Sequence, residues 1–189
     1  MRSKATPTFV RKIAVALAAA LLVTWSAATA ADVEELLFDM QIVPLDGERS
    51  QPFELANLDG RPVTLSEQKG KVVLLYFWAT WCPYCAKELP TAIEQAYRER
   101  KDQGFTVLAV NIQESRNKVA AWIKERGLTV PVVLDTDGDV IGRYRVRATP
   151  TIVLIGRDGR MVGRAVGMRP WETPTGRALL DALMAQPGR

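Results

Sequence analysis

Apolar and polar positions change period several times along the chain, and each change marks an element. Residues 72–78, Val-Val-Leu-Leu-Tyr-Phe-Trp, are apolar almost without a break. A half-exposed strand would show a polar residue at every second place, so this run predicts a central strand buried on both faces. Residues 106–112 and the shorter 130–134 read the same way. Between the first two, residues 83–102 carry Leu89, Ile93, Ala96 and Tyr97 at helical spacing. Pro90 is expected to kink that helix and Gly104 to end it. Residues 115–126 repeat the helical period with Val119, Trp122 and Ile123 and stop at Gly127. Ahead of the strands, Phe53, Leu55, Val63 and Leu65 alternate with polar residues around an Asp59-Gly60 turn, which predicts a β-hairpin over residues 52–65. Residues 66–70 read as a short connector.

Further on, the polar run 135–139 is expected to cap a short helix at 140–144. It resembles the start of a calcium loop, but its glycine falls too early for the calcium pattern, and loop position twelve is Val146 rather than Glu. A strand at 152–155, a turn at 157–160 and a return strand at 161–166 predict a second hairpin. A connector at 170–174 leads to a terminal helix over 175–186, with Leu179, Leu180, Leu183 and Met184 inward. The middle is therefore β-α-β, which implies parallel strands with right-handed crossovers, and the late hairpin adds antiparallel neighbours.

The N-terminal end follows a different pattern. Arg2, Lys4, Arg11 and Lys12 flank an apolar run at 13–25, and Ala28-Thr29-Ala30 supplies small residues in an Ala-x-Ala arrangement. Residues 1–30 read as a secretory signal peptide, with an uncleaved membrane anchor as the alternative. Export would place the body in a disulfide-permissive compartment, the periplasm. Residues 31–51 form a weakly patterned lead-in; 32–40 suits one or two helical turns, and the segment is expected to be poorly tied down.

Charge narrows the function. The formal net charge is +4. The four basic residues above account for it, since without them 21 basic residues face 21 acidic ones. The body is neutral, with no basic stripe interleaved with aromatics, so nothing points to nucleic acid. There is no histidine, which excludes Ser-His-Asp and Cys-His catalysis and the common zinc ligand sets. The two cysteines, Cys82 and Cys85, cannot alone hold an iron–sulfur cluster. Thiol redox chemistry remains. The pair sits where the buried strand turns into a helix, so free backbone N–H groups favour a thiolate on Cys82, and Pro83 suits the first helical turn. A static bridge over so short a loop would add little stability by chain entropy.

Trp81-Cys-Pro-Tyr-Cys85 after a buried strand, with Thr149-Pro150 before a later one, resembles the thioredoxin fold. The body, residues 52–186, is similar to the TlpA/ResA-like branch of thiol-disulfide oxidoreductases. The resemblance rests on residues 53–70, on the run from Phe77 to Pro90, and on residues 135–159. Cys82 and Thr149 stand 67 positions apart, room for the strand–helix insertion of that branch. The fold implied is a central mixed β-sheet flanked by helices, with an N-terminal β-hairpin and the central insertion.

The resemblance also implies roles. Cys82 is the exposed thiolate that attacks a partner disulfide, Cys85 the more buried thiol that resolves the mixed disulfide, and the two form a reversible disulfide. Glu88, three residues on and on the same helical face, is expected to exchange the Cys85 proton. Plain thioredoxins use a buried Asp on the preceding strand, a place taken here by Tyr76. Pro150 is expected to be cis, with Thr149 pairing to an extended client. Trp81 would contact partners, Trp78 would be core, and Pro83 and Tyr84 would tune the redox couple. No metal or organic cofactor is implied.

The implied activity is an exported reductase of protein disulfides, with client proteins on one side and a membrane thiol electron donor on the other; cytochrome c maturation is the pathway associated with the branch. A thiol oxidase, a copper carrier using both sulfurs and a module with an inert disulfide remain as alternatives. A peroxidase of the Pro-x-x-x-Thr-x-x-Cys type is disfavoured, because Leu75 stands seven before Cys82.

Overall fold

In the computed structural model, which describes residues 30–45 and 47–188, the apolar run at 72–78 is a strand with every residue buried. It lies fourth in chain order among eight: β1 (Val43–Pro44), β2 (Glu54–Asn57), β3 (Pro62–Thr64), β4 (Val72–Trp78), β5 (Phe105–Ile112), β6 (Val132–Asp135), β7 (Thr151–Ile155) and β8 (Met161–Val166). They form one mixed sheet in the order β1-β8-β7-β4-β5-β6-β2-β3. β4, β5 and β6 run parallel, as the β-α-β pattern requires. β7 joins the other side of β4 antiparallel and continues into β8. The early hairpin, β2–β3, closes the far edge against β6. The chain has the thioredoxin fold and belongs to the α/β class.

Alternate residues of β4 face two cores. Val72, Leu74, Tyr76 and Trp78 point to the larger one, shared with α1 (Ala30–Asp39), the interrupted helix α2 (Pro83–Glu88) and α3 (Glu94–Arg100), α4 (Arg116–Glu125) and α6 (Pro174–Ala185). Val73, Leu75 and Phe77 point to a smaller core under the hairpin and α5 (Asp139–Arg143). Trp78, expected in the core, is fully buried and packs against Trp122 in a tilted pair with ring centroids 4.9 Å apart. Asp135 caps α5 by accepting the Val140 and Ile141 N–H groups at 3.1 and 2.8 Å.

Two local expectations change. The connector after β3 is a 3₁₀ turn (Leu65–Gln68), started by a reciprocal cap in which Thr64 accepts the Glu67 N–H and Glu67 accepts the Thr64 N–H. The lead-in is not loose. Val33, Leu37, Met40 and Ile42 are all buried against α6 and β8. Each fully buried large apolar side chain contributes roughly 1.5–3 kcal/mol, which ties the segment down. Gly163 makes the space: a Cβ there would lie 2.7 Å from Ile42 Cγ2 and 3.1 Å from Leu37 Cδ2. The 31–51 pattern looked weak because its apolar partners lie more than a hundred residues away. The predicted signal segment, apart from Ala30, lies outside the described residues. Among the described residues, no helix is long and apolar enough to cross a membrane.

Candidate active site

The site forms where β4 ends. Cys82 caps α2 with extended backbone, and its Sγ accepts the Cys85 N–H at 3.1 Å. Pro83 holds the first helical position, where no N–H is needed. Cys82 and Cys85 are joined as a disulfide. In this oxidised state Cys82 is only 2% exposed, contrary to the expectation of an exposed sulfur, because its Sγ turns inward to bond Cys85 and to accept that N–H. The exposed groups at the motif are instead Trp81 and Tyr84, at 63% and 64%.

The Thr149–Pro150 peptide is cis, as expected. The register places it: Thr151 pairs with Phe77, so the two residues before Thr151 lie beside the β4 end that leads into the cysteines. The Gly167 N–H donates to the Pro150 carbonyl at 2.8 Å and fixes the loop from the β8 side.

Pro90 breaks the long helix as expected, but by widening rather than a simple bend: Leu89–Ile93 is a π-helical stretch. Pro90 has no N–H to give its turn. The Thr91 hydroxyl donates to the Lys87 carbonyl at 2.7 Å. Cys85, Glu88, Leu89, Ala92, Ile93 and Ala96 all stay on the buried side.

Glu88 is 1% exposed, and it is held from two directions. The Tyr76 hydroxyl donates to Oε2 at 2.9 Å, and the Arg169 backbone N–H donates to Oε1 at 2.7 Å. Burial pushes its pKa up to about 7, against the lowering pull of those two donors, of the Trp171 indole and of the Arg169 charge. The Trp171 indole N–H also lowers it, although it makes no hydrogen bond of good geometry. The Tyr76 phenol is pushed far up, by burial first and then by Glu88, so it stays protonated and can only donate.

Sequence reasoning placed Glu88 on the Cys85 face but missed its partners. Arg169 acts through its backbone, which has no side-chain signature. Trp171, an isolated large aromatic in a proline-flanked connector, was the one visible hint; it is 1% exposed. Glu114 was also missed. Its Oε2 accepts the Thr80 N–H at 2.7 Å and the Asn111 amide at 2.9 Å; its Oε1 accepts the Thr80 hydroxyl at 2.6 Å and pairs with Lys118 at 2.7 Å. That network pins the loop directly before Trp81.

A buried strand delivering a Cys-x-x-Cys disulfide to a helix start, opposite a cis-proline loop, defines a thioredoxin-fold thiol-disulfide oxidoreductase. Comparison makes the assignment specific. The AhpC/TSA family profile matches residues 47–164, and the chain belongs to that family. It is similar to the thiol-disulfide oxidoreductase ResA of Bacillus subtilis, 41% identical over 122 residues covering 65% of this chain and 68% of that one. ResA of Halalkalibacterium halodurans is 40% identical over 116 residues, 61% of this chain and 65% of that one. Among solved structures, a thiol:disulfide interchange protein of the thioredoxin family from Chlorobium tepidum superposes with a TM-score of 0.66 at 25% identity, covering 74% of this chain and 98% of that one. The thioredoxin domain of a thiol-disulfide oxidoreductase from Bacteroides vulgatus gives 0.63 at 27%, covering 72% and 96%.

Proposed function

We propose that this thiol-disulfide oxidoreductase works as an exported reductase of client protein disulfides. The observation that carries the reading is the buried Glu88 one helical turn beyond Cys85, with a pKa of about 7. In the reduced enzyme the Cys82 thiolate attacks a client disulfide. A Cys82–client S–S bond forms, the client's own S–S bond breaks, and one client sulfur leaves as a thiolate. Cys85 then gives its proton to Glu88 and attacks Cys82 Sγ. The Cys82–Cys85 bond forms, and the second client sulfur leaves with its electron pair. A carboxyl with a pKa near ambient pH can accept that proton and return it when the disulfide is reduced again. Trp81, Tyr84 and the backbone of Thr149 beside cis-Pro150 offer the client an apolar face and an extended edge. Pro83 and Tyr84, between the cysteines, tune the couple.

Export rests on the basic, apolar, small-residue order of residues 1–30, with residues 52–186 as the catalytic domain behind the lead-in. Re-reduction then requires a membrane thiol donor, and the resemblance to the TlpA/ResA-like branch is the ground for proposing a client in cytochrome c maturation. The deciding experiment equilibrates the Cys82–Cys85 couple with glutathione and dithiothreitol buffers. A potential near or below roughly −250 mV is expected for a reductant; a value nearer −120 mV would reverse the direction and make the protein a thiol oxidase. Sequencing the N-terminus of protein recovered from the periplasm tests the leader: a start at or near Ala31 is expected.

A further inference from the structure

The family profile ends at residue 164, and neither the lead-in before residue 47 nor the segment after 164 falls within it. These two outlying pieces meet at Arg169, whose backbone in turn reaches Glu88. The Arg169 N–H reaches Glu88 Oε1 at 2.7 Å, while the Arg169 guanidinium is spent on carbonyls: Nη2 donates to Gln41 at 2.8 Å, and Nη1 to Met168 at 2.6 Å and Val166 at 3.3 Å. Gln41 follows α1 and sits at φ +52°, in the left-handed region that turns its carbonyl toward that guanidinium. Its own N–H is fixed to the Phe38 carbonyl at 2.8 Å. Ile42, the next residue, is buried against Gly163. Arg169 is thus pinned on one side by the docked lead-in, and it presents its N–H to the buried carboxylate on the other.

We infer that Arg169 is a positioning residue for the thiol chemistry, and that the docked lead-in, through the Gln41 carbonyl, holds Arg169 so that its N–H and its charge favour ionised Glu88. The inference rests on the reading of Glu88 as the proton acceptor for Cys85. The ionisable groups set against Glu88 are Tyr76 from β4 and Arg169 from the loop after β8; Cys85 lies three residues back on its own helix. Tyr76 stays neutral, so Arg169 brings the only positive charge among them. Releasing the clamp removes a donor and a charge that both favour the carboxylate. Glu88 then ionises at higher pH and accepts the Cys85 proton less readily at neutrality.

The test follows the reduced full chain reacting with a small aromatic disulfide, dithiobis(nitrobenzoate). The first released thiolate reports Cys82 attack; the second reports Cys85 resolving the mixed disulfide. Arg169→Ala is expected to move the acid limb of the second phase up by about one pH unit, slowing it about five-fold at pH 7, and to leave the first phase unchanged. Arg169→Lys, which can reach one carbonyl but not all, should restore part of the shift. Gln41→Val disfavours the left-handed backbone and should reproduce the Arg169→Ala profile from the lead-in side, which keeps the inference testable if Arg169→Ala does not fold. Gln41→Gly keeps both the carbonyl and the conformation and should match the parent. If Glu88→Gln removes the acid limb while Arg169→Ala and Gln41→Val leave it in place, the clamp is refuted and the role of Glu88 stands. If Glu88→Gln itself leaves the limb unmoved, the reading of Glu88 fails, and the inference with it.

Discussion

Glu88 and Glu94 lie six residues apart on one interrupted helix, both almost fully covered, at 1% and 5% exposure, yet their environments drive them in opposite directions. Burial raises both. Around Glu94 it is outweighed. The Thr129 hydroxyl donates at 2.6 Å, the Thr129 and Val130 N–H groups at 3.0 Å, and Arg98 forms an ion pair at 2.6 Å. Its pKa is lowered, helped by a shallow site whose arginine is 56% exposed to water. Glu88 has two direct donors and lies deeper, and it ends near 7. Coverage sets the cost of a charge; the count and charge of the donors decide whether it is met. One carboxylate fastens the helix to the loop before β6, and the other sits where its charge is only partly compensated.

The largest expected contrast is in how stability depends on pH. Glu88 shifts from 4.5 to about 7 on folding, so the unfolded chain ionises first as pH rises. Stability should therefore fall by about 3 kcal/mol between pH 4.5 and pH 7 and then level off. Glu94 carries the opposite sign: its contribution is present above 4.5 and is lost as pH falls through its lowered folded value. Urea unfolding of oxidised parent and Glu88→Gln across that range isolates the first effect. A stability difference between the two that stays constant with pH would undo the contrast.

Next in size is the rate of thiol resolution. Glu88→Gln should slow the Cys85 step about 100-fold with little change in Cys82 attack. Glu94→Gln should leave both phases and their pH profiles in place and instead lower stability by about 2 kcal/mol above pH 5, since it unbalances a full set of donors. If Glu94→Gln shifts the kinetic profile as Glu88→Gln does, the division of labour is wrong. The smallest effect is expected for Tyr76→Phe. Losing the donor to Oε2 should raise the acid limb of resolution by less than one pH unit and cost about 1 kcal/mol in stability, read from the same two assays.

Much of this was legible beforehand. The run at 72–78, the cysteine pair at the strand-to-helix turn and the hairpin at 52–65 carried the fold, because each is a local pattern of period or turn chemistry. Pro90 and Pro150 announced themselves, as proline does, by what its ring forbids. The lead-in was misjudged because its helix is held by Gly163 and α6, and no local window contains them.

The sequence by itself determined the chemistry available: two thiols, no histidine, a neutral body, and a glutamate one turn beyond the second cysteine. Only the tertiary structure decided what surrounds that glutamate. Its depth, its tyrosine and the backbone N–H of Arg169 come from β4 and from the loop after β8, 12 and 81 positions away in the chain. A pKa depends on the dielectric and donors within a few ångströms, and those neighbours are assembled by long-range packing that no spacing along the chain encodes.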